Sequence, residues 1–174
     1  SIAAGLTLSD LKHLADSENQ PIIRVMPNIN AQIGQSTSAI VKNEFVDDSA
    51  YTIAQEIFKA VGSVHEIAEK DFSTFAAIAG SSPAFIYMFI DAMARAGVLH
   101  GLPKDQATAI VSETVKASAE MLLQSGENPW SLVDKVSSPG GTTVAGVVSL
   151  EQNHFGGTVI DAISATIERE KHLK

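Results

Sequence analysis

One unbroken apolar run, residues 83–90 (PAFIYMFI), constrains the fold of this 174-residue chain more than any other feature. The run opens a predicted helix over residues 83–97, and its consecutive apolar side chains occupy every side of that helix. So small a chain has few residues with which to surround such a helix, so we expect a second subunit to cover part of it. The alternative is that neighbouring helices of the same chain wrap it completely.

Composition excludes several classes of partner and site. The apolar run is far shorter than the ~20 residues that span a bilayer, and we expect no membrane partner. Twelve Lys and Arg against 20 Asp and Glu give a net charge of −8 without any basic cluster, so we expect no nucleic-acid partner. The absence of Cys excludes disulfides and thiol nucleophiles. The histidines, at 13, 65, 100, 154 and 172, are too widely spaced to predict a metal site.

The character of the sequence changes near Asp47. Before it we expect a helix capped by Ser9, strands at 22–26 and within 35–41, and the tail of an α/β sheet. A helix from Asp47 or Asp48 should end at Gly62 and bury one face, and a last strand should occupy 63–68. Predicted helices then follow at 72–79, 83–97, 103–124, 129–136, 142–152 and 158–171, with a small-residue turn at 79–84 and stops at Gly97, Gly126 and Gly156.

The most informative segment is 135–146 (KVSSPGGTTVAG). Two glycines follow a proline and precede a helix that begins with two threonines, so backbone N–H groups, a positive helix end and two hydroxyls converge. This arrangement is typical of an anion site, and the anion could be a phosphate or a carboxylate. The alternative is a plain helix start on a glycine-rich turn.

The chemistry-bearing segments resemble those of the pyrroline-5-carboxylate reductases. Residues 132–151 (LVDKVSSPGGTTVAGVVSLE) are similar to the signature of that family. Further similar segments follow the family's order: 1–5 (SIAAG), 24–28 (RVMPN), 79–84 (AGSSPA) and 97–103 (GVLHGLP). The resemblance begins late in the family's first domain, and the glycine-rich dinucleotide fingerprint is missing. Because the first residues are apolar and lack both an initiator Met and a signal peptide, we expect a fragment.

The resemblance implies a mainly α fold, with a remnant of a Rossmann-type α/β sheet in residues 1–68 and an all-helical dimerisation and substrate domain in 69–174. It implies reduction of 1-pyrroline-5-carboxylate to L-proline, the last step of proline biosynthesis, with NADPH or NADH as cofactor. The implied state is a cytoplasmic homodimer, with a higher oligomer left open, and the fragment is expected to be inactive alone.

The resemblance also assigns residues. The substrate carboxylate falls to Gly140, Gly141 and Thr142, and Thr143 matches the threonine whose hydroxyl reaches the ring nitrogen. Glu69 matches a carboxylate near the substrate. The cofactor positions are Ile2, Ala3, Ala4, Asn28 and Lys135, although many relatives have Asn where this chain has Lys135 and Gly where it has Ser82.

Two alternatives differ in class from this assignment. One is the helical dimerisation module of another Rossmann-type imine or hydroxyacid dehydrogenase, which would lack the 137–143 segment (SSPGGTT). The other is a non-enzymatic module that binds a small carboxylate. A G-x-G-x-x-G motif upstream of Ser1 would favour the enzyme over the module.

Overall fold

The computed structural model describes residues 1–170 and residue 172, and it divides the chain into two compact units. Unit 1 comprises Ser1–Pro83 and Asp161–Lys174, and unit 2 comprises Ala84–Ile160. These compact units are defined by contacts within a single chain and are not the functional domains expected from the sequence. The expected division between residues 68 and 69 therefore stays a prediction.

The elements confirm a mainly helical chain with a small sheet near its start. In chain order they are α1 (Leu8–Leu14), β1 (Ile23–Met26), a 3₁₀ turn (Ile29–Ile33), β2 (Ser36–Lys42), α2 (Asp48–Lys59), β3 (Gly62–Glu66), a 3₁₀ turn (Glu69–Asp71), α3 (Phe72–Phe75), a π-helical segment (Ala76–Ser81), α4 (Ser82–Leu99), α5 (Lys104–Ser125), α6 (Pro129–Val136), α7 (Thr142–Gln152) and α8 (Phe155–Glu170).

The three predicted strands form one sheet in the order β1-β2-β3, with β1 antiparallel and β3 parallel to β2. Since side chains alternate along a strand, the sheet presents two apolar faces. On one face Val25 and Ile40 pack with Tyr51 of α2. On the other face Ala39 packs with Phe72 and Phe75, which belong to α3. Both faces of the sheet are therefore covered within unit 1.

Three details of the predicted helices are wrong. Thr7, not Ser9, caps α1, since its hydroxyl accepts from the Asp10 N–H while the Asp10 carboxylate accepts from the Thr7 N–H. Gly97 lies inside α4 and Gly156 inside α8, so neither glycine ends a helix. The expected buried face of α2 includes Ile53, yet its side chain is 59% exposed. The predicted end of the last helix, Lys171, lies outside the described residues.

The predicted turn at 79–84 is also wrong, because the chain stays helical there and widens into the π-helical segment. Pro83 has no N–H for the carbonyl of Ala79, which an α-helix would pair with it. The side chain of Asn28, just after β1, supplies the missing donor, with Nδ2 at 3.0 Å from that carbonyl oxygen. The Ser82 hydroxyl donates to the carbonyl of Ala77 at 2.8 Å. Side chains therefore satisfy carbonyls that a regular helix would have bonded to its own backbone.

This continuity gives one helical run, Glu69–Leu99, of 31 residues with a mean hydropathy of 1.4 in its most apolar window. By length and composition alone the run could cross a membrane, although the core helix of a soluble protein passes the same test. Only 17% of that window is buried within the chain. The run therefore presents extensive apolar surface.

Unit 2 has a small core. Within residues 84–160, all of which the structure describes, the fully buried apolar residues are Ala94, Ala107 and Val111. Helices α4 and α5 approach closely at Gly97, where an added Cβ would lie 3.1 Å from that of Ala107. Large side chains of α4 remain in the open, with Met88 72% exposed. The expectation that the chain's own helices do not wrap this helix is confirmed for these residues.

Substitution of Gly62 tests the register of β3 on β2, in which Gly62 pairs with Ser36. Its φ of +150° disfavours a side chain, and an added Cβ would lie 2.0 Å from the carbonyl oxygen of Ser36. We expect Gly62→Ala to lower the free energy of unfolding by roughly 3 kcal/mol or more. Gly34→Ala is the control, because Gly34 has a φ of +69° with open space around it, and should cost only about 1 to 2 kcal/mol. Equal losses in urea denaturation would contradict the register.

Asn28→Asp tests the tie between β1 and the π-helical segment. The substitution keeps the acceptor for the Asn30 N–H but replaces the donor to Ala79 by a second oxygen. We expect a loss of about 1 to 3 kcal/mol in the free energy of unfolding. Asn153→Asp removes the same kind of bond, to Ser149, at an exposed helix end and should cost less than about 0.5 kcal/mol. Losses of the same size from both variants would show that the Asn28 bond contributes no more to the free energy of unfolding than an exposed one.

Candidate functional site

The turn that precedes α7 is built on its glycines. Gly140 has a φ of +69°, the left-handed conformation that glycine adopts most readily. The Gly141 N–H donates to the Ser138 carbonyl at 2.9 Å, and a Cβ on Gly141 would lie 2.5 Å from the Ser138 hydroxyl. The tight turn itself therefore favours glycine at both positions, whether or not a ligand binds.

The start of α7 nevertheless differs from an ordinary capped helix. Its N-cap residue is Gly141, so no side chain caps the first N–H groups, and the first turn carries no acidic residue. Thr142 and Thr143 are exposed at this end. Free N–H groups and the positive end of the helix dipole favour an anion here.

A buried hydroxyl lies just before the same turn. Ser137, the C-cap of α6, has an Oγ atom that is buried and forms no hydrogen bond with any residue that the structure describes. Buried polar atoms normally have a partner, so this hydroxyl is a spare donor beside the turn. Sequence reasoning placed Ser137 within the signature but gave it no role.

Lys135, predicted near the cofactor, lies in the last turn of α6. Its Nζ atom is 2.6 Å from the Glu127 carboxylate, and its side chain is 61% exposed. In this structure its charge is thus engaged in a surface ion pair. The turn before α7 and Lys135 both belong to unit 2.

The remaining predicted residues belong to unit 1. Ile2 and Ala3 are exposed, and the backbone beside them is tied to β1, where the Val25 N–H donates to the Ser1 carbonyl at 2.8 Å. Ala4 and Asn28 come together as walls of a cavity of about 700 Å³, hereafter the Ala4 cavity. The other lining residues are Met26, Pro27, Ile29, Ala76, Gly80, Ser81, Ala165, Thr166, Arg169 and Glu170.

The π-helical segment contributes the small residues of that wall. Gly80 and Ser81 face the Ala4 cavity from the segment that Asn28 ties down. Small side chains leave room for a flat ring, and most of the remaining lining is apolar. The bond from Asn28 to Ala79 thus fixes the position of the wall formed by Gly80 and Ser81. Asn28 itself lines the same cavity.

Glu69 lies in the 3₁₀ turn before α3 and is fixed by two donors. Its Oε1 atom accepts from the Leu8 N–H at 2.5 Å and from Arg24 Nη1 at 3.3 Å. The Glu69 side chain is 32% exposed and lines a second cavity of about 440 Å³, hereafter the Glu69 cavity. Sequence reasoning missed Arg24, although a charged residue inside the apolar strand 22–26 should have indicated a buried partner.

The structure holds no evident metal centre in the part it describes, where no group of three or more His, Asp or Glu side chains converges. The predicted site residues fall into two groups, one in each unit. Ile2, Ala3, Ala4, Asn28 and Glu69 form the first group, and Lys135 with Gly140 to Thr143 forms the second.

The chain is similar to known proteins along nearly its whole length. Residues 69–173 match the family described as pyrroline-5-carboxylate reductase dimerisation. A pyrroline-5-carboxylate reductase of Aquifex aeolicus is 39% identical over 99% of this chain and 65% of its own length. The 1-pyrroline-5-carboxylate reductase of Streptococcus pyogenes superposes with a TM-score of 0.95 at 45% identity, over 99% of this chain and 66% of that one.

A third relative carries a cofactor. The pyrroline carboxylate reductase of Plasmodium falciparum, whose structure has NADP bound, superposes with a TM-score of 0.93 at 35% identity, over 99% of this chain and 69% of that one. The chain spans about 65% of the length of the Aquifex relative. A family match over most of its helical part, together with similarity along nearly the whole chain, shows that the chain belongs to the pyrroline-5-carboxylate reductase family.

Proposed function

We propose that this chain forms part of an enzyme that reduces 1-pyrroline-5-carboxylate to L-proline. The observation that carries the proposal is the uncapped start of α7, where a glycine N-cap and two exposed threonines offer donors to a carboxylate in a chain of this family. The family match, together with the 137–143 segment (SSPGGTT), favours the reductase over a hydroxyacid dehydrogenase and over a regulatory module that would bind a carboxylate at the same helix start.

The substrate carboxylate is assigned to the turn before α7. Backbone N–H groups at Gly140 and Thr142 provide donors without a charged side chain, and the helix dipole adds to them. The Gly141 N–H, which donates to the Ser138 carbonyl, contributes by holding the turn in shape. The Ser137 hydroxyl is buried beside the turn and bonds none of the residues that the structure describes. We assign Thr143, one residue further along the helix, to the ring nitrogen.

The nicotinamide end of the cofactor is assigned to the Ala4 cavity. The Ala4 cavity is large enough for a flat ring, and its wall of Ala4, Gly80 and Ser81 lets such a ring approach the backbone. NADPH or NADH, when bound, supplies hydride for the carbon of the C=N bond. No G-x-G-x-x-G segment occurs in these 174 residues, so the pyrophosphate has no assigned site among them. Lys135 is the remaining cofactor candidate, and it would first have to leave Glu127.

The residues of this chain mainly bind and orient. A protonated ring nitrogen accepts the electron pair of the C=N bond as the carbon gains hydride, so the product amine needs no proton from the protein. The tasks left to the chain are to keep the nitrogen protonated and to fix the ring against the cofactor. Glu69 is suited to the first task because a carboxylate stabilises a nearby cation. Thr143 is suited to the second because its hydroxyl can bond the ring nitrogen.

We also propose that the protein is a cytoplasmic homodimer. The match of residues 69–173 to the family's dimerisation segment supports this, as do the exposed apolar side chains of α4. A second copy that covers α4 would remove the long apolar run Glu69–Leu99 from water without any membrane.

Thr143→Ala tests the role at the ring nitrogen. In protein expressed from its complete reading frame, kcat/KM for 1-pyrroline-5-carboxylate should fall roughly 10²- to 10³-fold, as on loss of other transition-state hydrogen bonds. Thr52→Ala is the matched control, because that exposed hydroxyl bonds only the Asp48 carbonyl of its own helix. An unchanged kcat/KM in Thr143→Ala would remove Thr143 from the mechanism.

Met88→Glu tests the proposed subunit surface. Because Met88 of α4 is 72% exposed in the single chain and a partner would bury it, an unpaired carboxylate there should weaken association at least roughly tenfold in sedimentation. Ile53→Glu is the control, since Ile53 is 59% exposed but lies outside the dimerisation segment, and this variant should associate normally. A wild-type chain that stays monomeric at micromolar concentration would refute the dimer.

A further inference from the structure

Arg24 is a buried charge on a strand whose other residues are apolar. It is 5% exposed, and its guanidinium carbon lies 4.3 Å from the centre of the Phe72 ring. Packing alone does not require a charge here, since Met26 occupies the same face of β1. Burying a charge is costly unless it is paired, and replacing a buried ion pair by apolar residues is often neutral or stabilising. The position therefore calls for a reason other than stability.

The partner of Arg24 is the carboxylate of Glu69, and both hydrogen bonds to this carboxylate are made to the same oxygen. The Oε1 atom accepts both the Leu8 N–H and the Arg24 guanidinium. The Oε2 atom accepts no hydrogen bond from any residue that the structure describes. One oxygen is thus fully engaged by the protein, and the other is left as an acceptor on a side chain that lines the Glu69 cavity.

The geometry explains why the anchor is an arginine. A guanidinium is planar, and it can stack on the Phe72 ring while one of its nitrogens faces the carboxylate. A lysine ammonium is a compact, strongly hydrated charge on a flexible stem, and it would lose the stacking. The ring holds the guanidinium, and the guanidinium and the Leu8 N–H together limit the rotation of the Glu69 carboxylate.

We propose that Arg24 is a positioning residue for Glu69. By engaging Oε1, it turns Oε2 towards the N–H of a cationic substrate nitrogen. Arg24 also lines the Glu69 cavity, but its effect on the substrate is exerted through Glu69. This proposal rests on the proposed reductase function and on the assignment of Glu69 to the substrate. Arg24 thereby becomes a determinant of how well the substrate is oriented, and cofactor binding does not depend on it.

A double-mutant cycle in protein from the complete reading frame tests the coupling. Glu69→Gln and Arg24→Met should each lower kcat/KM for 1-pyrroline-5-carboxylate by roughly 10- to 100-fold, and the double variant should be no slower than Glu69→Gln alone. The KM for the nicotinamide cofactor should stay unchanged in all of them. Lys59→Met is the control, because it breaks an exposed ion pair with Glu56 and should leave kcat/KM as it was.

Other outcomes separate the inference from the function. If Arg24→Met lowers kcat/KM as much in the Glu69→Gln background as in the wild type, Arg24 acts independently of Glu69 and the inference is wrong. If Glu69→Gln alone has no effect while the wild type reduces the substrate, the inference fails and the reductase function stands. A wild-type protein that does not reduce 1-pyrroline-5-carboxylate at all overturns the proposed function itself.

Arg24→Lys keeps the test decisive if Arg24→Met does not fold. The lysine retains the charge, so the melting temperature should stay within a few degrees of the wild type. The loss of the stacked, planar anchor should still lower kcat/KM roughly tenfold, and only when Glu69 is present. Full activity in Arg24→Lys would show that charge alone is sufficient and would overturn the positioning role.

Discussion

The absent N–H of Pro83 shapes much of unit 1. A proline in a helix leaves a carbonyl without its usual donor, and a buried carbonyl needs another one. Asn28 provides it from the end of β1, and the helix widens over Ala76–Ser81 so that the bond can form. Small side chains at Ala79 and Gly80 make the widened turn easy to approach. The carbonyl that Pro83 leaves without a donor therefore links the sheet to the helical segment that forms one wall of the Ala4 cavity.

The two units offer different electrostatic environments to a ligand. Unit 1 has a carboxylate fixed by Arg24, which suits a cation. Unit 2 has uncharged donors at the start of α7, which suit an anion, and Lys135, the nearest cation along the chain, is engaged by Glu127. A helix end contributes at most ~2 kcal/mol, while even millimolar affinity requires about 4 kcal/mol. Backbone N–H groups and hydroxyls, each worth about 1 kcal/mol, must therefore add to the dipole.

Local signals in the sequence predicted the elements that depend only on local chemistry. The bounds of α6 and α7 follow from Asn128, Pro129 and the glycine turn, and the structure has both helices where these residues place them. The turn at 79–84 failed because proline and glycine were interpreted as ends of helices, whereas a distant side chain supplied the missing donor. The same limit applies to Arg24, since a sequence shows a charge in a strand but not the carboxylate 45 residues away that pairs with it.

The small core of unit 2 gives the proposed homodimer a role in stability as well as in function. Ordering each residue costs roughly 1 to 2 kcal/mol of backbone entropy, and three buried residues, two of them alanines, offset very little of it. Much of the apolar area that could do so lies on the exposed side chains of α4 and on α5, where Met121 is 59% exposed. A second copy that buries these side chains would complete the core from outside, as in obligate dimers without a stable monomer. The turn before α7 belongs to this same unit, so a dimer that stabilises unit 2 would also stabilise the proposed carboxylate site.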